Sequence, residues 1–298
     1  MDIFFSSLFV VVTPFLGMYL LSATRMFDEV ALEIGFQHYA EKPWLPLIGN
    51  FMPLNTLINF AYFGLGLYWC GMTRALNEQG ILKNNDTAMF YIFNIMSCLY
   101  GCVQLLRILT QDVTWAVMDQ WCTLPFFAIL LVWGLYYKCG WSSKRGVLII
   151  NLSLLSYALS LCVDIGFEIA LGLHVVCAIY GAVIAYRKHP AAESMRYFNL
   201  ALLSCTGFVI LKLLDHHMAH AFCIFKYMSG HFLSKICDVL QIHFVNNFFL
   251  DLTLQRAADL SIDEKNKFFA NYEKQYQRSL SNDIMYEVIR RPKDKMLT

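Results

Sequence analysis

Charge is scarce in this chain. Asp, Glu, Lys and Arg make up only 15% of its 298 residues, against 58% hydrophobic and 15% aromatic, and the mean hydropathy is +0.49. That is too little charge to coat a soluble domain of this length, so composition selects a membrane-embedded class. The net charge is +1, and the basic residues follow the loops instead of gathering in a patch, which argues against nucleic acid or a strongly acidic partner. Ten cysteines occur without a Cys-x-x-Cys pair, mostly inside apolar stretches. A zinc cluster or disulfide framework lacks the spacing, so they read as small buried hydrophobes, with Cys122 and Cys223 left as a pair whose geometry sequence does not test. No Gly-rich phosphate loop, nucleophile elbow or metalloprotease helix motif is present, which sets soluble enzyme classes aside.

What the chain has instead is a series of apolar runs. Stretches long enough to cross about 30 Å of hydrocarbon fall at 3–23, 51–71, 88–106, 117–137, 147–163, 167–186, 197–214 and 231–252. The expected fold is an all-α, polytopic bundle of about eight membrane helices, with a membrane domain over 1–253 and a polar tail over 254–298. The fifth run is short and carries Asn151, Ser153 and Ser156, so seven spans is the alternative. The first run reads as a retained anchor, because Met1-Asp2 supplies no basic segment ahead of it.

Lysine and arginine counts orient such a bundle. Arg74, Lys83, Lys138, Lys144, Arg145, Arg187, Lys188 and Arg196 fall in alternate loops, while the opposite loops hold Arg25, Lys42, Arg107 and Lys226. With the basic tail, this places both termini in the cytosol. The sequons at Asn85 and Asn151 then lie in a cytosolic loop and inside a span, and neither is expected to carry sugar.

Intramembrane polar residues now acquire a depth, and nearly all fall in the non-cytosolic half. Asn55 and Asn59 are early in the second span, Gln104 and Arg107 close the third, and Asp119 opens the fourth. Lys212, Asp215 and His216 close the seventh, and His231, Lys235 and Asp238 open the eighth at spacings of four and three, on one helical face. Ionisable groups at that depth cost several kcal/mol unless paired or hydrated, so the stripe marks a buried polar site. Asn55 and Asn59 equally suit interhelical hydrogen bonding, Arg107, Asp119 and His216 suit snorkelling to the interface, and His174 and His243 suit satisfied core positions. Lys212 and Lys235 need counter-charges, with Asp119, Asp215 and Asp238 as candidates.

Several segments resemble the transmembrane protein 187 family: Gly35-Phe36-Gln37-His38-Tyr39-Ala40-Glu41, Met52 to Asn59, Asp119 to Pro125, Gly166-Phe167-Glu168 with His174-Val175-Val176, Leu211 to His216, and Gly230 to Phe244. That resemblance implies a multi-pass membrane protein and no particular activity. A more distant resemblance is to the seven-helix hydrolase superfamily of alkaline ceramidases and adiponectin receptors, with spans two to eight as its core. It implies a zinc site with Asp119 and His231 at matching places. The position four after His231 is Lys235 rather than histidine, and Tyr100-Gly101-Cys102-Val103-Gln104 stands where serine and histidine are expected. Catalytic zinc needs three good protein ligands and an open position. Only His231 remains, with His216 and His243 as substitutes, so no cofactor is expected. The resemblance implies a lipid-sized cavity without zinc hydrolysis, or a metal-free reaction on Asp119, His231 and Lys235.

Membrane lipids are the expected partners. A transporter would show matched broken helices in two halves, and Pro53, Gly64, Gly66 and Pro125 find no such match. A receptor or scaffold has only the tail to offer. Residues 262–280 suit a surface amphipathic helix, and Tyr286 and Ile289 frame a tyrosine-based sorting signal for a cytosolic adaptor, which points to the Golgi and endosomes, with the plasma membrane as the other destination. The pocket expected from sequence is ringed by Asn55, Asn59, Gln104, Asp119, Lys212, Asp215, His216, His231, Lys235 and Asp238.

Overall fold

The computed structural model describes residues 2–32, 34–35, 39–42 and 52–258. Among these the chain is all α-helical with 3-10 turns: α1 (Ile3–Ser22), α2 (Pro53–Glu78), α3 (Asn84–Thr110), α4 (Val113–Cys139), α5 (Ser143–Ser156), α6 (Gly166–Lys188), α7 (Ala192–Leu213), the short α8 (Asp215–Ala221) and α9 (Gly230–Ala258). The tail readings at 262–280 and at Tyr286 and Ile289 lie outside the described residues.

Local chemistry sets the helix ends. Pro53 opens α2 where a missing N–H costs nothing. Asp112 caps α4 by accepting from Thr114 N at 2.8 Å, and Ser142 caps α5. Gln111, at φ 54°, turns α3 into α4 within two residues, so the end of one helix and the start of the next stay side by side. The run expected at 147–163 forms α5 and continues as a 3-10 turn, Tyr157–Leu161, before Gly166 starts α6. It is a separate element rather than an extension of its neighbour.

Among the described residues six helices are long and apolar enough to cross a membrane by length and composition: α1, α3, α4, α5 with its 3-10 continuation, α6 and α7. The other two expected spans, α2 and α9, have 26 and 29 residues and are not among the six. Each instead lies along an apolar helix, α2 on α3 and α9 on α7. Both carry a polar stripe into the bundle, which lowers hydropathy without shortening the helix.

The core gathers around α4, whose Leu124 and Trp133 are fully buried. Trp133 stacks on Phe249 of α9 with centroids 4.0 Å apart, and Phe90 of α3 meets it edge-on. Where α4 crosses α6, a Cβ on Gly134 would sit 2.0 Å from the Gly181 carbonyl oxygen, so this backbone approach requires glycine. Asn94 of α3 and Asn246 of α9 exchange amide hydrogen bonds of 2.8 and 3.0 Å in the centre.

The bundle has two distinct ends. One holds the α2–α3 turn at Gly80, and the other holds the α3–α4 turn at Gln111. At the Gly80 end α9 runs past the boundary expected at 253, and its last turn brings Arg256 to Asp86 of α3, with the guanidinium over the rings of Tyr136 and Tyr137. Tyr137 donates to Phe249 O, and Ser194 donates to Asp251. The sequence reading put Arg256 in the solvated tail; its place in a helix–helix contact comes from the extra turn of α9.

Candidate functional site

Three helices carry polar side chains at i, i+4 and i+7: Asn55, Asn59 and Tyr62 on α2; Tyr100, Gln104 and Arg107 on α3; His231, Lys235 and Asp238 on α9. That spacing puts each trio on one helical face. The faces meet at the Gln111 end. Lys235 Nζ donates to Asn59 Oδ1 at 3.1 Å, and the Tyr62 hydroxyl donates to Asp238 Oδ2 at 2.7 Å. Tyr62 in turn packs edge-on against Tyr100, with centroids 5.6 Å apart.

Asp119, near the start of α4, accepts from Arg107 of α3 across the Gln111 turn. Their side chains are 11% (Arg107) and 14% (Asp119) exposed, so Arg107 is held inside by a carboxylate and does not snorkel. Tyr100, Gln104, Arg107, Asp119, Lys212, His231 and Lys235, with Tyr39 and Phe208, line a cleft of about 20 Å³. That volume takes a water or a group little larger. Among the described residues its lining holds three cations and one carboxylate. Among the described residues Asp119 Oδ1 and Gln104 Oε1 are buried without a hydrogen-bond partner.

A strap of loop crosses this end. Ala40 N donates to Asp215 Oδ2 at 3.1 Å, Lys42 N donates to Lys226 O at 2.7 Å, and the Tyr39 ring stands edge-on to His231 at 4.6 Å. Glu41 accepts from Leu54 N, Asn55 N and Asn55 Nδ2, capping the first turn of α2. Burial raises the Glu41 carboxyl above its ordinary value despite those donors, and pushes the Tyr39 phenol up to about 12. Tyr39 is therefore a neutral hydroxyl at the cleft mouth at physiological pH.

Of the residues expected from sequence, Gln104, Asp119, Lys212, His231 and Lys235 come together in the cleft. Asn59 stands behind Lys235, and Asp238 sits one turn further in on Tyr62. Asn55 and Asp215 face the strap instead: Asn55 Nδ2 binds Glu41 and Ser229 Oγ, and Asp215 holds Ala40. His216 is exposed on α8. His243 packs on the Trp69 ring, and its Nε2 lies 3.0 Å from the Asn247 Nδ2. Neither replaces a zinc ligand beside His231. Among the described residues no three His, Cys, Asp or Glu side chains form a metal-holding group. His174 is a satisfied core histidine: Nδ1 donates to Ala170 O and Nε2 accepts from Ser153 Oγ.

Asp119 and Asp238 lie near enough to act on the charge of Lys235, but it makes no direct ion pair with either among the described residues. Arg107 occupies Asp119, Tyr62 occupies Asp238 and the strap occupies Asp215, leaving Lys235 on a neutral amide. Sequence reasoning also missed Tyr39, Glu41, Tyr62 and Tyr100. The last two continue or begin the same four-and-three stripes and were readable; the first two depend on a strap whose partners are remote in sequence.

The model of the TMEM187 protein family matches residues 7–250 of this chain. Transmembrane protein 187 of Homo sapiens is 43% identical over 231 residues, covering 77% of this chain and 85% of that protein. Transmembrane protein 187 of Bos taurus is 40% identical over 230 residues, covering 77% and 90%. No solved structure matches the chain.

Proposed function

The chain belongs to the TMEM187 protein family and is a multi-pass membrane protein, and we propose that it binds a membrane lipid through an anionic head group held in the cleft at the Gln111 end. Lys235 carries this reading. Its side chain is buried, lines the cleft, donates to Asn59 and forms no ion pair among the described residues. An ammonium has three N–H donors, and burying it without an acceptor of charge costs several kcal/mol. A compact anion beside Lys235, Lys212 and Arg107 offsets that cost, and the small volume favours a head such as a carboxylate over a sugar.

The lysine and arginine distribution supports a cleft in the non-cytosolic leaflet with cytosolic termini. Glycosylation at Asn85 in cells overturns that orientation. The Tyr286 and Ile289 pair supports Golgi and endosomal traffic through a cytosolic adaptor.

The donor set does not suit zinc. His231 is the one imidazole lining the cleft among the described residues, Asp119 is engaged by Arg107, and Lys235 is a cation where the more distant hydrolase superfamily has histidine. A metal-free hydrolase is the second reading, favoured because Asp119, His231 and Lys235 share one cleft. The test is native mass spectrometry of the purified protein. Wild type is expected to retain an anionic lipid that Lys235→Met loses, with zinc well below stoichiometric. Equal retention by both proteins overturns lipid binding at the cleft, stoichiometric zinc overturns the metal-free assignment, and turnover of added lipid esters favours the hydrolase.

A further inference from the structure

A second, larger cavity lies along the same helices. It measures about 580 Å³ and is walled by α1 (Val10, Pro14), α3 (Ile92, Met96), α4 (Phe126, Ile129) and α5 (Val147, Ile150). Its lining is overwhelmingly apolar and its volume is that of a small-molecule pocket. Tyr100 lines both this cavity and the cationic cleft. On α3 the face continues from Met96 in the cavity through Tyr100 to Gln104 in the cleft; on α4 it continues from Cys122 in the cavity to Asp119 in the cleft. Steps of three and four residues keep each face continuous. The two spaces thus lie along one seam between α3 and α4, with Tyr100 at their shared border. Thr123 Oγ1 donates to the Tyr100 hydroxyl at 3.3 Å, and Phe126 stacks on its ring.

We propose that the two compartments form one bipartite site for a single-chain amphiphile with an anionic head, the chain lying in the α1-walled cavity and the head beside Lys235, Lys212 and Arg107. The proposal rests on the lipid-binding reading of the cleft and adds the class of lipid. From Ala88 to Tyr100 the cavity follows α3 for roughly 18 Å, against about 15 Å of hydrocarbon in one leaflet, so one extended chain fills it. The cleft admits only a compact head. α1 packs on α3 and α4 while α5 packs on α4, so the chain enters sideways from the bilayer between α1 and α5. Tyr100 swings to join the compartments.

The experiment uses the full chain in phosphatidylcholine nanodiscs with palmitic acid carrying a mid-chain diazirine, and the matching palmityl alcohol as the uncharged probe. Crosslinks mapped by mass spectrometry are expected on the α1, α4 and α5 walls, competed by unlabelled palmitic acid, with the acid labelling about tenfold more than the alcohol. Lys235→Met, or Lys212→Gln if the first is poorly folded, lowers the acid to the level of the alcohol and leaves the labelled positions unchanged. Met96→Trp and Ile150→Trp, filling the cavity from opposite walls, abolish labelling by both probes. Equal acid and alcohol labelling, or crosslinks spread over outward residues such as Leu152, Leu155 and Leu173 without excess in the cavity, overturns the bipartite site. Hexanoate, too short to leave the cleft, separates the two readings. If it raises the Tm of wild type and Met96→Trp but not of Lys235→Met while cavity labelling fails, the cleft binds anions and the bipartite site falls. If it shifts no Tm and labelling ignores charge, both fall.

Discussion

At the Gly80 end Arg256 reaches Asp86 beneath the rings of Tyr136 and Tyr137, while at the Gln111 end Arg107 reaches Asp119 across a cleft that also holds two lysines. The pairs are chemically alike and their surroundings are not. Around Arg256 the neighbours are aromatic faces, which a cation attracts, and Asp86 sits in the first turn of α3, where the helix dipole favours a carboxylate. Around Arg107 the neighbours are more cations. One pair closes the bundle, and the other borders a cleft whose described lining also holds Lys212 and Lys235. A buried lysine that makes no direct ion pair among the described residues is a cost to the fold that a ligand offsets, which is why the functional reading attaches to the Gln111 end.

Breaking the closed end is expected to have the largest effect on stability. Asp86→Ala leaves Arg256 facing the ring cluster without its carboxylate and should cost about 3–5 kcal/mol, read as a fall in Tm in detergent. If Asp86→Ala matches wild type, the end is not a structural lock. Next comes the central amide pair: Asn94→Leu strands Asn246 and should cost about 1–2 kcal/mol by the same measurement. The matched change at the open end, Lys235→Met, should alter Tm by less than about 1 kcal/mol equivalent, or raise it, because a buried cation with no direct ion pair among the described residues is replaced by a side chain of similar length. A large loss there erases the difference between the ends.

The smallest expected effect concerns the strap. Burial raises the Glu41 carboxyl, so the folded chain binds its proton more tightly than the unfolded chain does. The stability it contributes is full below the ordinary carboxylate range and falls as pH rises through that range to the raised value. Glu41→Gln should flatten the Tm-against-pH curve over that window. An unchanged slope removes Glu41 as its source.

Much of the Gln111 end was readable beforehand. His231, Lys235 and Asp238 announce one face, and Asn55, Asn59 and Gln104 announce two more, because spacing on a helix is a local property. The Gly80 end was read poorly. Asp86 looked like part of a turn and Arg256 like part of a tail, since the extra turn of α9 that joins them is invisible in hydropathy. The partners within the site were also misjudged. Three aspartates were candidates for Lys235, and all three proved to be engaged elsewhere. The stripes imply a polar pocket and the hydrolase resemblance a lipid-sized cavity; the polar cleft is about 20 Å³, and the larger cavity is apolar and lies against α1.

By itself the sequence determined the membrane class, the helical segments and the faces that carry polar groups. These follow from sums over consecutive residues: transfer of apolar side chains, satisfaction of every backbone group within a helix, and a 3.6-residue period. Only the tertiary structure decided which aspartate meets which cation, how α2 and α9 enter the bundle on polar stripes, and that Tyr100 stands between a cationic cleft and an apolar cavity. Such outcomes depend on distances of a few ångströms between residues far apart in the chain, and Coulomb and hydrogen-bond energies fall steeply over that range.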